Sequence, residues 1–557
     1  MLLSGADIVI ETLIEQGTKT VFGYPGGQVI NLYDALYKRE DRIHHVLTAH
    51  EQGACHAADG YARATGDVGV VIATSGPGAT NLVTGIATAY LDSTPLVAIT
   101  GNVPNALIGR DSFQEVDITG VTLPVTKHNF FVKDYTKLAD TIREAFRIAK
   151  SGRPGPVLVD IPKDVQIQMQ EYEPGPVVQK EEQRAVKLRK IDAAAQMIAE
   201  SVSPYIYIGG GVITADASEE VLALADKIDA PIGSTLMGLS AIDNDNERFL
   251  GMVGMHGHYP ASVGQDEADL IIAVGARFSD RATGDVGKYA RGARVIHLDI
   301  DRAEIDKNIT ADLGIGGDLK EALQALIEVV KPARHPAWNA RLDALRAIGE
   351  EQLEATLDPA ELTPHALIWE TARHTEVDTP VVTDVGQHQM WTAQYYPFHR
   401  RRTFITSGGL GTMGFGLGAA IGAAAATGKK TVLFTGDGSF GMNLNELATA
   451  VTQNTPVVII VLNNNVLGMV RQWQNLFFDK HYSQTTLNRQ TDFVKLAEAF
   501  GAKGFRIMNR KELAPVMAEA FAQEGPVVVD VAIDPDAFVL PMLPPGGSFD
   551  DIITEVQ

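Results

Sequence analysis

The sequence predicts an α/β protein of three domains, each built on a doubly wound parallel sheet. Three observations predict it. Short runs rich in Val and Ile alternate with amphipathic segments of ten to fifteen residues, the pattern of βαβ units whose strands are covered on both faces. Two polar, charged, Pro-containing stretches, 166–190 and 331–363, interrupt the alternation as connections between domains do. The chain has 557 residues, more than one core accommodates at roughly 150 residues per domain. The domains are therefore set at 1–165, 191–330 and 364–545.

The opening, MLLSGADIVIETLIEQG, carries Asp7 and Glu11 inside its apolar pattern and no basic leader, so it predicts an amphipathic first helix and not a signal peptide. The buried strands follow in order. VGVVIAT (68–74), PLVAIT (95–100) and PVLVDI (156–161) belong to the first domain, and YIYIGG (205–210), LIIAVG (270–275) and ARVIHLDI (293–300) to the second. TVLFTG (431–436) and PVVIIVL (456–462) belong to the third. The 53 glycines cluster at strand ends, where backbone turns sharply or approaches a ligand.

Composition excludes several classes. Lys plus Arg number 47 against 69 Asp plus Glu, a net charge of −22 that argues against a nucleic-acid or anionic-membrane partner. With 45% hydrophobic and 21% charged residues the chain is neither disordered nor fibrous. No uncharged apolar run approaches the ~18 to 20 residues that span a bilayer, so a soluble protein is expected. Cys55 is the sole cysteine, which allows no intrachain disulfide and makes the cytoplasm the default location. His44-His45 and His256-Gly257-His258 have no cysteine partners and no HExxH motif occurs, so zinc is not expected.

The most informative stretch is the strand TVLFTG running into GDGSFGMNLNELATAV, then the strand PVVIIVL and NNNVLGMV. Neighbouring parallel strands converge at their carboxyl ends, so Asp437 and Asn464 are placed to share one ion there. Mg²⁺ suits them, being a hard cation that takes oxygen ligands and holds phosphates. Gly438 and Ser439 sit where a helix begins, and their N–H groups can receive an anion. GDG alone marks only a turn; strand, GDG, helix, strand and paired Asn together point to a metal and a diphosphate.

Other candidates have two readings each from pattern alone. Glu51 in HEQGACHAADGYARA is followed by Gly53, Ala54, Ala57, Ala58 and Gly60, small residues that let a helix pack closely and bury the carboxyl, raising its pKa. It equally suits a first-turn acid complementing the helix dipole. The second domain holds GGG (209–211), TLMGL (235–239), GMHG (254–257), GARFSDR (275–281) and HLDID (297–301), glycines at strand ends with an acid after a later strand. No GxGxxG fingerprint is among them, so a dinucleotide site and an empty scaffold both remain. Met413 reads as core filler, Trp473 as core packing or the wall of an apolar pocket, and Arg277 as a surface ion pair or a carboxylate partner.

The GDG…NN stretch resembles the thiamine diphosphate motif. From about residue 4 to residue 548 the chain resembles the catalytic subunits of the acetohydroxyacid synthase (acetolactate synthase) family, through FGYPGG (22–27), HEQGA (50–54), TSGPGATN (74–81), FQEVD (113–117), SGRPGPVLVDIPKD (151–164), GMHG, DVGQHQMW (384–391), TSGGLGTMGFG (406–416) and GMVRQWQ (468–474). The resemblance implies a first domain that binds the cofactor's pyrimidine, a central FAD-binding Rossmann-like domain and a third domain for diphosphate and Mg²⁺. It makes Glu51 the carboxyl that activates the cofactor and Met413 the apolar wedge that bends it, with Gly27, Phe113, Gln114 and Lys163 around the reacting atoms. Gly411, Gln387, His388, Gly438 and Ser439 become cofactor contacts, and Asp437, Asn464 and Val466 metal ligands. Arg153, Gly210, Gly211, Thr235, Leu236, Met255, His256, Gly257, Gly275, Arg281, Asp299 and Ile300 become FAD contacts, with FAD structural. Arg277 takes the 2-ketoacid carboxylate, while Trp473, Met469 and Val470 form the pocket that favours 2-ketobutyrate. Two departures stand out: Ser279, where flavin-bearing members carry an acid, and Gly418, where Pro is usual and whose effect on stability is expected to be small.

The implied activity decarboxylates pyruvate and transfers the hydroxyethyl carbanion to a second 2-ketoacid, giving 2-acetolactate or 2-aceto-2-hydroxybutyrate in branched-chain amino-acid biosynthesis. The resemblance also implies a homodimer or homotetramer with shared active sites and a separate small regulatory subunit. The rivals are a catabolic FAD-independent acetolactate synthase, opposed by GARFSDR and Trp473, a pyruvate oxidase, and a regulatory protein without chemistry, opposed by the joint presence of Glu51, Asp437 and Asn464.

Overall fold

A computed structural model describes residues 1–179, 188–355 and 357–555. Three six-stranded parallel sheets follow one another along the chain. The first runs across the sheet as His44–Leu47, Thr20–Tyr24, Gly69–Ala73, Leu96–Asn102, Pro156–Pro162 and His128–Phe131. The third runs as Phe404–Ile405, Val381–Thr383, Thr431–Gly436, Val457–Asn463, Val527–Ala532 and Lys503–Ile507. Numbered within each sheet, both have the order 2-1-3-4-6-5. The central sheet differs, running Phe249–Met252, Ile232–Ser234, Pro204–Ile208, Leu270–Val274, Arg294–Asp299 and Leu313–Gly316, the order 3-2-1-4-5-6 of dinucleotide-binding folds.

Helices cover both faces, which is why the central strands are mostly apolar and every residue of Gly69–Ala73, Leu96–Asn102 and Leu270–Val274 is buried. The chain opens with a short strand, Leu2–Ser4, paired antiparallel with Met169–Glu171. The expected first helix occupies Gly5–Glu15, capped by Ser4, whose hydroxyl accepts from the Asp7 N–H at 3.2 Å. Its Ile8, Val9, Ile10 and Leu13 are buried, each worth about 1.5–3 kcal/mol over exposure.

The first and third domains share one core, in which Phe22, Ala54 and Ala58 pack with Val382, Phe415 and Leu433. The seam is the helix Glu51–Thr65 against the helix Gly416–Thr427. A Cβ on Gly60 would overlap the carbonyl oxygen of Ala419, and one on Gly422 that of Ala57. Gly418 belongs to the same seam: a Cβ there would stand 2.7 Å from the Gly53 carbonyl oxygen and 2.9 Å from the His56 Cβ. This departure leaves room for a neighbouring backbone.

The interruptions prove structured where described. Residues 331–363, expected as a polar connection, contain the 20-residue helix Pro336–Ala355, whose Trp338, Leu342 and Leu345 enter the central core beside Tyr205 and Tyr207. Of 166–190, residues 180–187 lie outside the described residues, and the remainder includes the strand Met169–Glu171. After the third sheet the chain returns to the central domain, where the Leu543 N–H donates to the Met255 carbonyl at 2.7 Å and Phe549 is buried. Among the described residues no helix is long and apolar enough to cross a membrane.

Candidate active site

Sites in open parallel sheets form where the strand order reverses, outside the carboxyl ends of the strands. In the first sheet the reversal lies between Thr20–Tyr24 and Gly69–Ala73, which lead into Gly26-Gly27 and TSGPGATN. In the third it lies between Val381–Thr383 and Thr431–Gly436, leading into Gln387 and Asp437; in the central sheet it lies between Pro204–Ile208 and Leu270–Val274, leading into Gly209 to Gly211 and Gly275 to Arg277.

At the third-domain reversal Gly436 pairs in register with Leu462, so Asp437 and Asn463 leave adjacent strands side by side. Asp437 opens the helix Asp437–Asn443 and is buried, and burial pushes its carboxyl up to about 6 against the N–H groups of Gly438 and Asn465 that face it. Asn464 is joined to Gln387, its amide nitrogen 3.4 Å from Gln387 Oε1, and its own Oδ1 accepts from the Val466 N–H at 3.2 Å. Gln387 donates to Gln472 Oε1 at 3.0 Å and to the Ala537 carbonyl at 2.8 Å. His388 is buried with Nε2 unpartnered, and burial pushes the imidazole down to about 3, the neutral form. The Ser439 hydroxyl donates to the Val385 carbonyl at 3.0 Å. Met413 reaches the same cluster: its Cε lies 3.9 Å from where a Gly438 Cβ would stand. Gly411 and Gly414, with φ of +70° and +89°, flank it in the left-handed region that glycine tolerates.

A cavity of about 1530 Å³ runs from the central reversal to the third domain. Of the residues implied for flavin, Arg153, Gly210, Gly211, Thr235, Leu236, Met255, His256, Gly275, Arg281, Asp299 and Ile300 line it. Gly257 does not; its Cα faces the Met252 carbonyl and Gly254. The loops at the reversal touch through backbone, a Cβ on Gly211 falling 2.6 Å from the Gly275 Cα. His256 is buried with Nδ1 unpartnered and held neutral by burial, its pKa pushed down to about 4. Burial pushes Asp299 up to about 6. Arg153 is engaged already, donating to Glu304 at 2.6 Å and to the Ser93 hydroxyl at 2.7 Å, which ties the first domain to the central one. Ser279 lines the cavity without capping the helix Asp280–Thr283 that it precedes.

The same cavity receives Arg277, Met469, Val470, Trp473 and Gly411. Met469 and Trp473 share the helix Gly468–Phe477 and both face the cavity. Among the described residues no carboxylate forms an ion pair with Arg277.

Glu51, Gly27, Phe113, Gln114 and Lys163 do not line that cavity. Glu51 begins the helix Glu51–Thr65 and accepts from the Asn81 side chain at 2.9 Å. It is half-buried, not buried as expected. Lys163 Nζ donates to the Gly27 carbonyl at 3.0 Å, joining two of the expected residues. Gln114 holds φ +61° against Gly76, and Phe113 is 84% exposed. Two residues beside Glu51 were not singled out from sequence. Asn81 closes the TSGPGATN motif, a signal that was available, whereas Glu446 contacts the backbone before Glu51 from a different domain and leaves no local signal.

Comparison with known proteins bears on this arrangement. Residues 3–121 match the thiamine pyrophosphate enzyme N-terminal TPP binding domain, 191–326 the central domain and 384–531 the C-terminal TPP binding domain. The chain is 45% identical to a probable acetolactate synthase large subunit of Methanocaldococcus jannaschii, over 100% of this chain and 96% of the relative. It is 44% identical to the acetolactate synthase isozyme 3 large subunit of Escherichia coli, over 99% and 98%. It is 45% identical to the isozyme 2 large subunit of the same organism, over the whole of both.

Proposed function

Because the chain belongs to the thiamine pyrophosphate enzymes, and within them to the acetolactate synthase large subunits, we propose that it decarboxylates pyruvate and joins the remaining two-carbon unit to a second 2-ketoacid, pyruvate or 2-ketobutyrate. The products are 2-acetolactate and 2-aceto-2-hydroxybutyrate, in branched-chain amino-acid biosynthesis. The observation that carries the reading is one cavity in which the Trp473 helix, Arg277 and the Gly411 loop meet the flavin-type reversal of the central sheet. Thiamine diphosphate, when bound, supplies the nucleophilic carbon and the electron sink.

The residues fit the groups this chemistry needs. Asp437 is a buried carboxyl with no salt bridge among the described residues, at the end of the strand adjoining the one that leads to Asn464, and suits Mg²⁺; the unpartnered Nε2 of His388 suits a diphosphate oxygen. The unpartnered Nδ1 of His256 and the 3-2-1-4-5-6 sheet above the cavity support FAD in a structural role. Arg277, which has no ion pair among the described residues, suits the planar carboxylate of a 2-ketoacid. Trp473 and Met469 wall the apolar end, where the additional methyl group of 2-ketobutyrate would lie.

Glu51, Gly27, Lys163, Gln114 and Phe113 belong to the open face of the first domain, so in this reading two copies assemble and the Glu51 of one faces the Asp437 cluster of the other. The 84% exposure of Phe113 supports such a face. The relatives' description as large subunits supports a separate small subunit, and the sole cysteine supports a cytoplasmic setting. The test is an acetolactate assay of the purified chain with thiamine diphosphate, Mg²⁺ and FAD omitted in turn. Loss of product in the first two omissions, and loss of bound yellow flavin with the third, is expected; full activity without FAD would transfer the assignment to a flavin-free acetolactate synthase.

A further inference from the structure

We propose that Glu446 is a positioning residue for Glu51, its carboxylate reaching from the third domain to fix the backbone that presents Glu51. The inference rests on the reading of Glu51 as the activating carboxyl. Glu446 ends the turn Leu444–Glu446, directly after the helix Asp437–Asn443, and is fully buried. Its Oε1 accepts from the His50 N–H at 2.9 Å. Its Oε2 accepts from the Ala49 N–H at 3.2 Å and from the Thr449 hydroxyl at 2.6 Å.

Ala49 and His50 immediately precede Glu51, at the positive end of a 15-residue helix where an anion is favoured. His50 caps that helix through Nδ1, which accepts from the Gln52 N–H at 3.1 Å, so Glu446 holds the cap residue itself. Gly53 admits the carboxylate: a Cβ there would overlap Glu446 Oε1. Two amide donors arriving at two different oxygens need both oxygens as acceptors, which a carboxylate provides and an amide does not. These donors oppose the upward push of burial on the Glu446 carboxyl. The same segment that carries Asp437 therefore sets the angle at which the first domain offers Glu51.

The test compares Glu446→Gln, Glu51→Gln and the double variant as full-length chains. Without cofactor, backbone amide exchange in residues 48–52 should rise about tenfold in Glu446→Gln while residues 55–62 are unchanged. With thiamine diphosphate bound, deuterium exchange at its reactive carbon should slow about tenfold, with the cofactor Kd within twofold of the parent. Acting through Glu51, Glu446→Gln should slow the Glu51→Gln chain no further. Parent-like carbon exchange in Glu446→Gln, or a multiplicative loss in the double variant, would overturn the proposal. Parent-like exchange in Glu51→Gln would instead remove the reading beneath it. Should Glu446→Gln not fold, Thr449→Val takes its place: a slowing of about threefold supports the proposal and none overturns it.

Discussion

The guanidinium of Arg281 stands over the ring of Trp473, 5.6 Å from its centroid, and so joins the central domain to the helix Gly468–Phe477 across the cavity. Phe477 meets the same ring edge-on at 5.8 Å. Trp473 is thus braced on two sides. A methyl group buried against it is worth about 0.8 kcal/mol, and a well-fitted wall can raise discrimination to roughly 1–3 kcal/mol. Trp473→Leu is expected to cut the acetohydroxybutyrate share in a pyruvate and 2-ketobutyrate competition by about tenfold, ~1.4 kcal/mol, with acetolactate formation largely intact. Arg281→Ala should move the ratio the same way by about threefold, the scale of one cation–π contact. An unchanged ratio in Trp473→Leu would make the residue core packing.

Arg277 is expected to behave differently. All 2-ketoacids carry the same carboxylate, so Arg277→Ala should depress condensation with pyruvate and 2-ketobutyrate by the same factor, about tenfold or more, and leave the product ratio within twofold. Product ratio and total yield from one competition assay separate the two residues.

Asp437→Ala should abolish retention of thiamine diphosphate, because the diphosphate charge would face the remaining oxygens without its metal. Dialysis against Mg²⁺-containing buffer followed by cofactor quantitation reads this directly. Full occupancy would contradict the metal assignment.

Glu51→Gln should slow turnover by about 100-fold, the scale of a lost general acid or base. Mixed with Asp437→Ala chains, it should regain activity, because an assembly pairing the first domain of one chain with the third of another restores some intact sites. Mixing the two inactive chains after subunit exchange measures this. Failure to complement, with a competent monomer by light scattering, would end the two-chain reading.

A fifth expectation concerns pH. Asp160 lies buried between the Thr100 hydroxyl, 2.7 Å from Oδ1, and the Asn102 amide, 2.6 Å from Oδ2. Burial pushes its carboxyl up to about 7. The folded chain therefore binds more protons here than the unfolded chain, so this group's contribution is full below about pH 4 and is lost as pH rises to about 7. Asp160→Asn should flatten that part of the profile: its thermal midpoint relative to the parent should be higher at pH 8 than at pH 5. An equal offset at both would refute it.

The Val and Ile runs were legible because strands covered on both faces need apolar residues at every position. The glycine words were legible because they terminate those strands at the reversals. The helix Pro336–Ala355 was not, since only Trp338, Leu342 and Leu345 of its 20 residues are buried, and its charged remainder reads as a connection. Pro336 at its first position was an available start signal. The surroundings of Glu51 were less legible still. Its cap is held by Glu446, 396 residues from His50, and local pattern carries no information about a contact of that range.

The glycine seam between the helices Glu51–Thr65 and Gly416–Thr427 has a consequence for genetics. Gly53, Gly60 and Gly422 touch backbone or buried carboxylate so closely that any side chain would collide. A saturation screen for growth without branched-chain amino acids would score these three as intolerant as Asp437. Loss-of-function variants there would report the distance between two helices, and a clinic or a breeder sorting alleles by severity alone would mistake them for lesions of chemistry.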